Sequence, residues 1–270
     1  MKNRLKIILL FFFIIIQGCY KGPVEQPYRI VELNSLIMQA NKAFERGQTE
    51  RAKNLYMEAL KKSRLIQDDN ATVIILISLS RLYTSEEQIK EAKKFIDTAV
   101  ELSKRASLPE NTVEELDFER ARLGFIVNED VEELLRKLIL SKFTSIKIKS
   151  LNLLARVKMK QNKNEEAEKL LNEALKINQK INRVEEANSL RLLGIVCSDR
   201  DKKRAESYFL RALELDRELA IPEKIALDMQ TLAIFYEKIG EQEKAKEYFM
   251  RTHEIWKELD KDDIAIKLRR

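Results

Sequence analysis

The chain of 270 residues holds only 6 glycines, 4 prolines, one histidine and two cysteines, and aromatic residues make up 7% of it. An all-β sandwich or barrel needs Gly and Pro at its many tight turns, so that class is excluded. One histidine and two cysteines likewise exclude a disulfide framework and any zinc site built from several such ligands. There is no phosphate-cradling glycine motif and no nucleophile elbow. Acidic pairs such as Glu165 and Glu166 define no catalytic dyad without a pocket around them. The sequence therefore predicts no catalytic residue, no metal ligand and no cofactor. What is present is 44% hydrophobic and 35% charged, a helix-forming profile with enough apolar material to bury a core.

The formal net charge of +6 is partly local, because Lys2, Arg4 and Lys6 fall in residues 1–18, which hold no acid. Without them 47 basic residues face 44 acidic ones, with both signs interspersed as on solvated helix faces. No basic run interleaved with aromatics stands out, so no nucleic-acid partner is expected.

Lys2, Arg4 and Lys6 precede an unbroken ten-residue apolar run, Ile7 to Ile16, and then Gln17 and Gly18 lead to Cys19. That is the order of a secretory signal. The run is too short to span a bilayer core of about 30 Å, which takes about 20 residues. Ile16-Gln17-Gly18-Cys19 resembles a bacterial lipobox. The resemblance implies cleavage after residue 18, acylation of Cys19, and a mature protein anchored to a membrane without crossing it. An ordinary thiol after a plain secretory peptide is the alternative. Residues 19–29 read as a flexible tether, since Gly22, Pro23 and Pro27 oppose regular structure. Tyr20, rather than Asp, after the cysteine resembles outer-membrane sorting, which in a two-membrane cell would place the protein facing the periplasm.

The rest of the chain is one repeated spacing: a small residue, a second small residue about twelve on, a large one four further, and a third small residue three beyond that. The copies are Ala40, Ala52, Tyr56, Ala59; Ser80, Ala92, Ile96, Ala99; Ala155, Ala167, Leu171, Ala174; Gly194, Ala205, Phe209, Ala212; and Ala233, Ala245, Phe249, Thr252. Seven residues are about two helical turns, so the last two small residues of each copy share a face that a neighbouring helix can approach closely. The first small residue sits on the preceding helix, across a short turn carrying Gly47, Asn162 or Gly240, and marks the crossing point. Each unit of 38 to 40 residues is thus expected to be an antiparallel helix pair. Residues 111–140 lack the marks, yet 75 residues separate Ala92 from Ala167, so a degenerate third unit is expected there, with helices near Thr112 to Ile126 and Glu129 to Leu140. Pro109 and Pro222 are expected in the first turns of their helices.

This pattern resembles the tetratricopeptide repeat over about residues 30–260, with 261–270 left as a polar end. Ala40, Gly47, Ala52, Tyr56, Ala59 and Leu60 agree in the first copy, and Ala233, Tyr236, Gly240, Ala245 and Phe249 in the last. The usual Trp near the start of each unit is replaced by Leu36, Leu76, Leu151 or Met229, and the period exceeds the family's usual one. The resemblance implies an all-α, right-handed superhelical solenoid of about six helix pairs. It also implies a concave groove that holds a protein or peptide partner. Carried over residue by residue, the groove-facing positions are Asn34, Ile37, Asn41 and Phe44; Ile74, Ile77 and Arg81; Lys149, Asn152, Arg156, Met159 and Lys160; Asn188, Arg191 and Ile195; and Leu227, Gln230, Ile234 and Glu237. The first two units then offer a mostly apolar surface, covered in one reading by residues 28–33. Lys149, Arg156, Lys160 and Arg191 gather with Asn152 and Asn188, in an arrangement that looks like the carboxylate-clamping members of the family. Ordinary solvated surface is the competing reading.

Cys197 falls where the repeat places a buried aromatic, and His253 near a packed position of the last helix, so both are expected to be structural. The anchor and the repeat together imply a non-enzymatic, membrane-anchored scaffold or adaptor of the bacterial cell envelope. A pilotin-like assembly factor for an outer-membrane secretin or pilus is one alternative, a helper that binds peptidoglycan or another envelope polymer is a second, and a cytosolic regulator is a third.

Overall fold

The computed structural model describes residues 27–259, and the expectations for Cys19, for the leader and most of the tether before residue 27, and for residues 261–270 lie outside them. Among the described residues there are twelve α-helices and no strand. They are α1 (Tyr28–Glu45), α2 (Thr49–Leu65), α3 (Asp69–Ser85), α4 (Ile89–Ser103), α5 (Glu110–Ile126), α6 (Glu132–Leu138), α7 (Thr144–Lys160), α8 (Asn164–Asn178), α9 (Arg183–Cys197), α10 (Lys202–Glu218), α11 (Pro222–Ile239) and α12 (Gln242–Glu258). Each odd-numbered helix packs against the even-numbered helix that follows it, giving six pairs, and successive pairs stack into a superhelical solenoid.

The small residues of the repeated spacing are where these helices cross. Ala40, Ala52, Ala59, Ser80, Ala92, Ala99, Ala155, Ala167, Ala174, Ala205, Ala212 and Ala233 are all completely buried. The backbone turns between paired helices through Gly47, Asn162 and Gly240, each with positive φ, a conformation glycine adopts freely and asparagine tolerates. Asp68, Asn182 and Asp201 cap their helices by accepting the backbone N–H of Ala71, Glu185 and Arg204 at 2.8, 3.1 and 3.0 Å. Pro222 opens α11 at its first position, whereas Pro109 stands one residue outside α5, as its N-cap.

The unmarked third pair exists, with a second helix of only seven residues. Its crossing point is Gly124, where an added Cβ would lie 2.7 Å from Val131 Cγ1. At the first edge of the solenoid α1 differs from α3 in one respect. On α3 a stripe of Ile75, Leu79 and Leu82 is fully buried, whereas forty residues earlier α1 carries Ser35, Gln39 and Lys42. Gln39 Nε2 donates to Ser35 Oγ at 3.0 Å. The outer face of α1 is a polar cap, as the end of a repeat stack requires in water.

Candidate functional site: the concave groove

First helices of neighbouring pairs lie side by side, α1 against α3, α3 against α5, α5 against α7, and α7 against α9. Their exposed faces and that of α11 line a groove with a cavity of about 680 Å³. Phe44 enters it from α1, Arg81 from α3, Lys149, Asn152 and Arg156 from α7, Asn188, Arg191 and Ile195 from α9, and Leu227 from α11. The structure therefore brings together nine of the positions that the repeat pattern points to.

The other sequence-derived positions lie elsewhere. Ile77 is 2% exposed and belongs to the core, because that face of α3 turns inward; it is not a groove residue. Ile37 and Met159 are half-buried against core clusters. Asn41 is exposed and accepts a 2.6 Å bond from the Tyr56 hydroxyl. Asn34 and Ile74, on α1 and α3, and Ile234 and Glu237, on α11, are exposed beyond the cavity, and Gln230 is half-buried beside them. Lys160 borders a smaller cleft, its Nζ donating to Asn128 Oδ1 at 3.0 Å and lying 3.9 Å above the Phe125 ring. Residues 28–33 are the opening turns of α1.

Sequence reasoning missed the contribution of α5, which supplies Phe118, Glu119 and Arg122 to the groove. It also missed Leu153 and Thr231, and the polar groups Glu185 and Lys224. A signal was available in Gly124, one of only 6 glycines, inside a strongly helical stretch. Placed as the crossing residue, it would have set the register of α5.

Most groove cations are already held. Arg81 donates to Glu119 Oε2 at 3.0 Å and also pairs with Glu115. Lys149 donates to both oxygens of Glu115 at 2.7 Å. Glu119, with no exposed surface, is shared with Arg122 at 2.9 Å. Burial works to raise the Glu115 carboxyl, but Lys149 and Arg81 hold it below its ordinary value. Asn152 donates to Glu185 Oε2 at 2.8 Å, and Ser189 donates to Asn152 Oδ1 at 2.7 Å. Arg191 donates to Asp216 Oδ2 at 2.7 Å, to Asp228, and to Asn188 Oδ1 at 2.9 Å. Arg191 is thus not the free clamp that its position in the repeat suggests, because two buried carboxylates neutralise it. The groove bonds that join adjacent first helices link residues 33 to 38 apart, close to one repeat.

Arg156 is the exception. Its guanidinium lies 4.6 Å from the Phe125 ring, it is exposed, and no described carboxylate pairs with it. Packing of its surroundings, together with Arg122, lowers its hold on its proton from the ordinary arginine value. In the α3–α7 stretch, Arg81, Arg122, Lys149 and Arg156 face only Glu115 and Glu119, an excess of two positive charges. Toward α11 the wall becomes apolar through Leu192, Ile195 and Leu227.

Little else among the described residues invites chemistry. Cys197 is 2% exposed, and burial pushes its thiol up, away from the reactive thiolate. His253 is half-buried on α12. Among the described residues no group of three metal-ligating side chains converges, and no helix is long and apolar enough to cross a membrane.

Residues 147–218 and 74–105 match family models described as tetratricopeptide repeat. No curated protein matches the chain. Solved structures superpose on it at low identity. A Rap protein complexed with competence and sporulation factor is 16% identical with a TM-score of 0.65, over 88% of this chain and 80% of the other. The apo form of RapI is 19% identical with a TM-score of 0.57, over 84% of this chain and 66% of RapI, so the chain spans just under two thirds of that protein. Pseudomonas aeruginosa pilF is 14% identical with a TM-score of 0.52, over 89% of this chain and 100% of pilF. The chain carries tetratricopeptide repeats, and its fold is the all-α solenoid that such repeats build.

Proposed function

We propose that this chain is a non-enzymatic scaffold, held by lipid at Cys19 on the extracytoplasmic face of a bacterial membrane, that grips an acidic stretch of a partner protein in its concave groove. The observation that carries the groove reading is the uncompensated charge between α3 and α7, with Arg156 exposed and without a carboxylate. Guanidinium groups favour carboxylates through paired hydrogen bonds. The apolar wall toward α11 adds burial for a hydrophobic neighbour of the acidic residues. The anchor rests on the basic start, the apolar run and the lipobox-like residues before Cys19.

In-cell crosslinking of the full chain, beside Arg156→Glu, tests the groove. Arg156 holds no ion pair, so its reversal leaves the fold's own bridges in place. The expected result is one envelope protein, crosslinked through an acidic stretch and lost in the variant. Capture that persists unchanged in Arg156→Glu refutes the groove reading, and recovery of peptidoglycan fragments in place of a protein favours the polymer-binding alternative. For the anchor, Cys19→Ser is expected to move the protein from the membrane fraction to the soluble one. The fold likeness to pilF is compatible with a narrower form of the proposal, in which the partner is a secretin or pilus subunit. Co-purification of such a subunit is the result that selects it.

A further inference from the structure

Below the groove, between α9, α10 and α11, Asp216 and Asp228 face one another across the Arg191 guanidinium. Both are buried, at 0% and 1% exposure. Each spends one oxygen on Arg191, while the remaining ones, Asp216 Oδ1 and Asp228 Oδ2, are buried with no other donor. Keeping two ionised carboxylates with such oxygens buried around one guanidinium is costly, and a proton on the pair lowers that cost. The two carboxylates converge on one guanidinium, and a proton held by the pair relieves the unpaired oxygens.

The charged groups facing the pair are few. Arg191 approaches from α9 and Lys224 from α11, with Glu185 of α9 acting on Lys224. Lys224 donates to Asn188 Oδ1 at 3.1 Å and lines the groove together with Arg191. With both aspartates ionised, they cancel the charges of Arg191 and Lys224. With one proton on the pair, this part of the wall carries one more positive charge.

We infer that the Asp216–Asp228 pair shares one exchangeable proton and that losing it weakens the groove's grip on anionic segments, so that binding is linked to pH. The inference rests on the acidic-ligand reading given above. The sign follows from linkage: an anion bound near Arg191 and Lys224 favours the protonated pair, so binding takes up a proton and tightens as pH falls. Burial, then Asp228, push the Asp216 carboxyl up to about 7, which places the change near neutrality.

The test uses the full chain, its Asp216→Asn and Asp228→Asn variants, and two readouts. Asparagine mimics the protonated carboxyl in size and supplies a permanent donor. The first readout, carboxyl-carbon NMR without ligand, is expected to show a resonance titrating between about pH 6 and pH 8 that disappears in Asp216→Asn. The second is the affinity for a fluorescent synthetic peptide of alternating Glu and Leu. It is expected to be at least about fivefold tighter at about pH 5.5 than at about pH 8.5, and close to pH-independent in either variant. Absence of a titrating carboxyl overturns the shared proton. A titrating carboxyl with pH-independent binding overturns the linkage, as does an unchanged pH dependence in both variants. If the peptide binds at no pH, the acidic-ligand reading falls and the linkage with it, and the NMR titration then shows whether the proton itself was rightly placed.

Discussion

Gly194 lies under the ring of Phe209, so close that a Cβ at position 194 would stand 2.5 Å from Cδ1 of the aromatic. In three of the other marked copies the same position is alanine, and the residue opposite is Tyr56, Leu171 or Phe249. Here the turn between α9 and α10 follows a spacing one residue shorter, and the helices meet where only glycine leaves room for the ring.

Gly194→Ala is expected to destabilise the protein by ~1–2 kcal/mol. Overpacking a filled core site costs ~1–3 kcal/mol, and the better helix propensity of alanine returns up to ~1 kcal/mol. Urea unfolding followed by circular dichroism checks this. An unchanged midpoint would mean that Phe209 swings aside freely.

Five of the six helix pairs were legible because helix crossings need small residues at fixed spacing, and that constraint is written in single letters: Ala40, Ala52 and Ala59, for instance. The third pair was legible only as a gap of the right length. Its crossing uses Gly124 and Val131 and its second helix is short, so the spacing there departs from the rest. In the groove, the repeat register pointed to Arg81, Lys149, Arg156 and Arg191, but not to which of them are neutralised. That depends on acids about one repeat away, such as Glu115 and Asp228, or on the following helix, such as Asp216. Ile77 was misplaced because a carried-over position says nothing of how α3 is rotated about its own axis.

Removing the Glu119 side chain with Glu119→Ala is expected to cost ~1–3 kcal/mol. Breaking a fully buried pair costs ~3–5 kcal/mol, and the partial exposure of Arg81 and Arg122 screens part of that. Thermal unfolding beside Arg120→Ala, a surface variant, measures the difference. Equal midpoints for the two would show that Glu119 contributes no more than an exposed charge.

The pH dependence of stability has two limbs. Asp216 has a higher pKa folded than unfolded, so its stabilisation is complete below about 3.8 and is lost as pH rises through about 7. Glu132, bound by Lys158, Gln161 and Arg136, is lowered to about 2, so its stabilisation is present above about 4.5 and lost as pH falls toward 2. Melting temperature is expected to decline between about pH 5 and pH 8 in the native chain and to flatten over that range in Asp216→Asn. A parallel decline in the variant would assign the effect to other groups.

The polar cap on α1 predicts what its removal does. Changing Ser35, Gln39 and Lys42 to Ile, Leu and Leu reproduces on α1 the stripe that α3 buries. The triple variant is expected to keep its helical content and to associate as concentration rises, because the new apolar face has no partner helix among the described residues. Sedimentation velocity at several concentrations checks this, and a monomer throughout would show that this face is not what limits stacking.

Glu115 belongs to α5, yet it holds Arg81 of α3 and Lys149 of α7 at once. A single carboxylate therefore acts as a tie rod across three consecutive rungs of the solenoid, on the side where the groove opens. Flattening the coil would strain both of its bonds together, and removing the carboxylate would leave two cations repelling each other across the gap. A partner lying there meets a wall whose three helices are fastened to one another through one side chain.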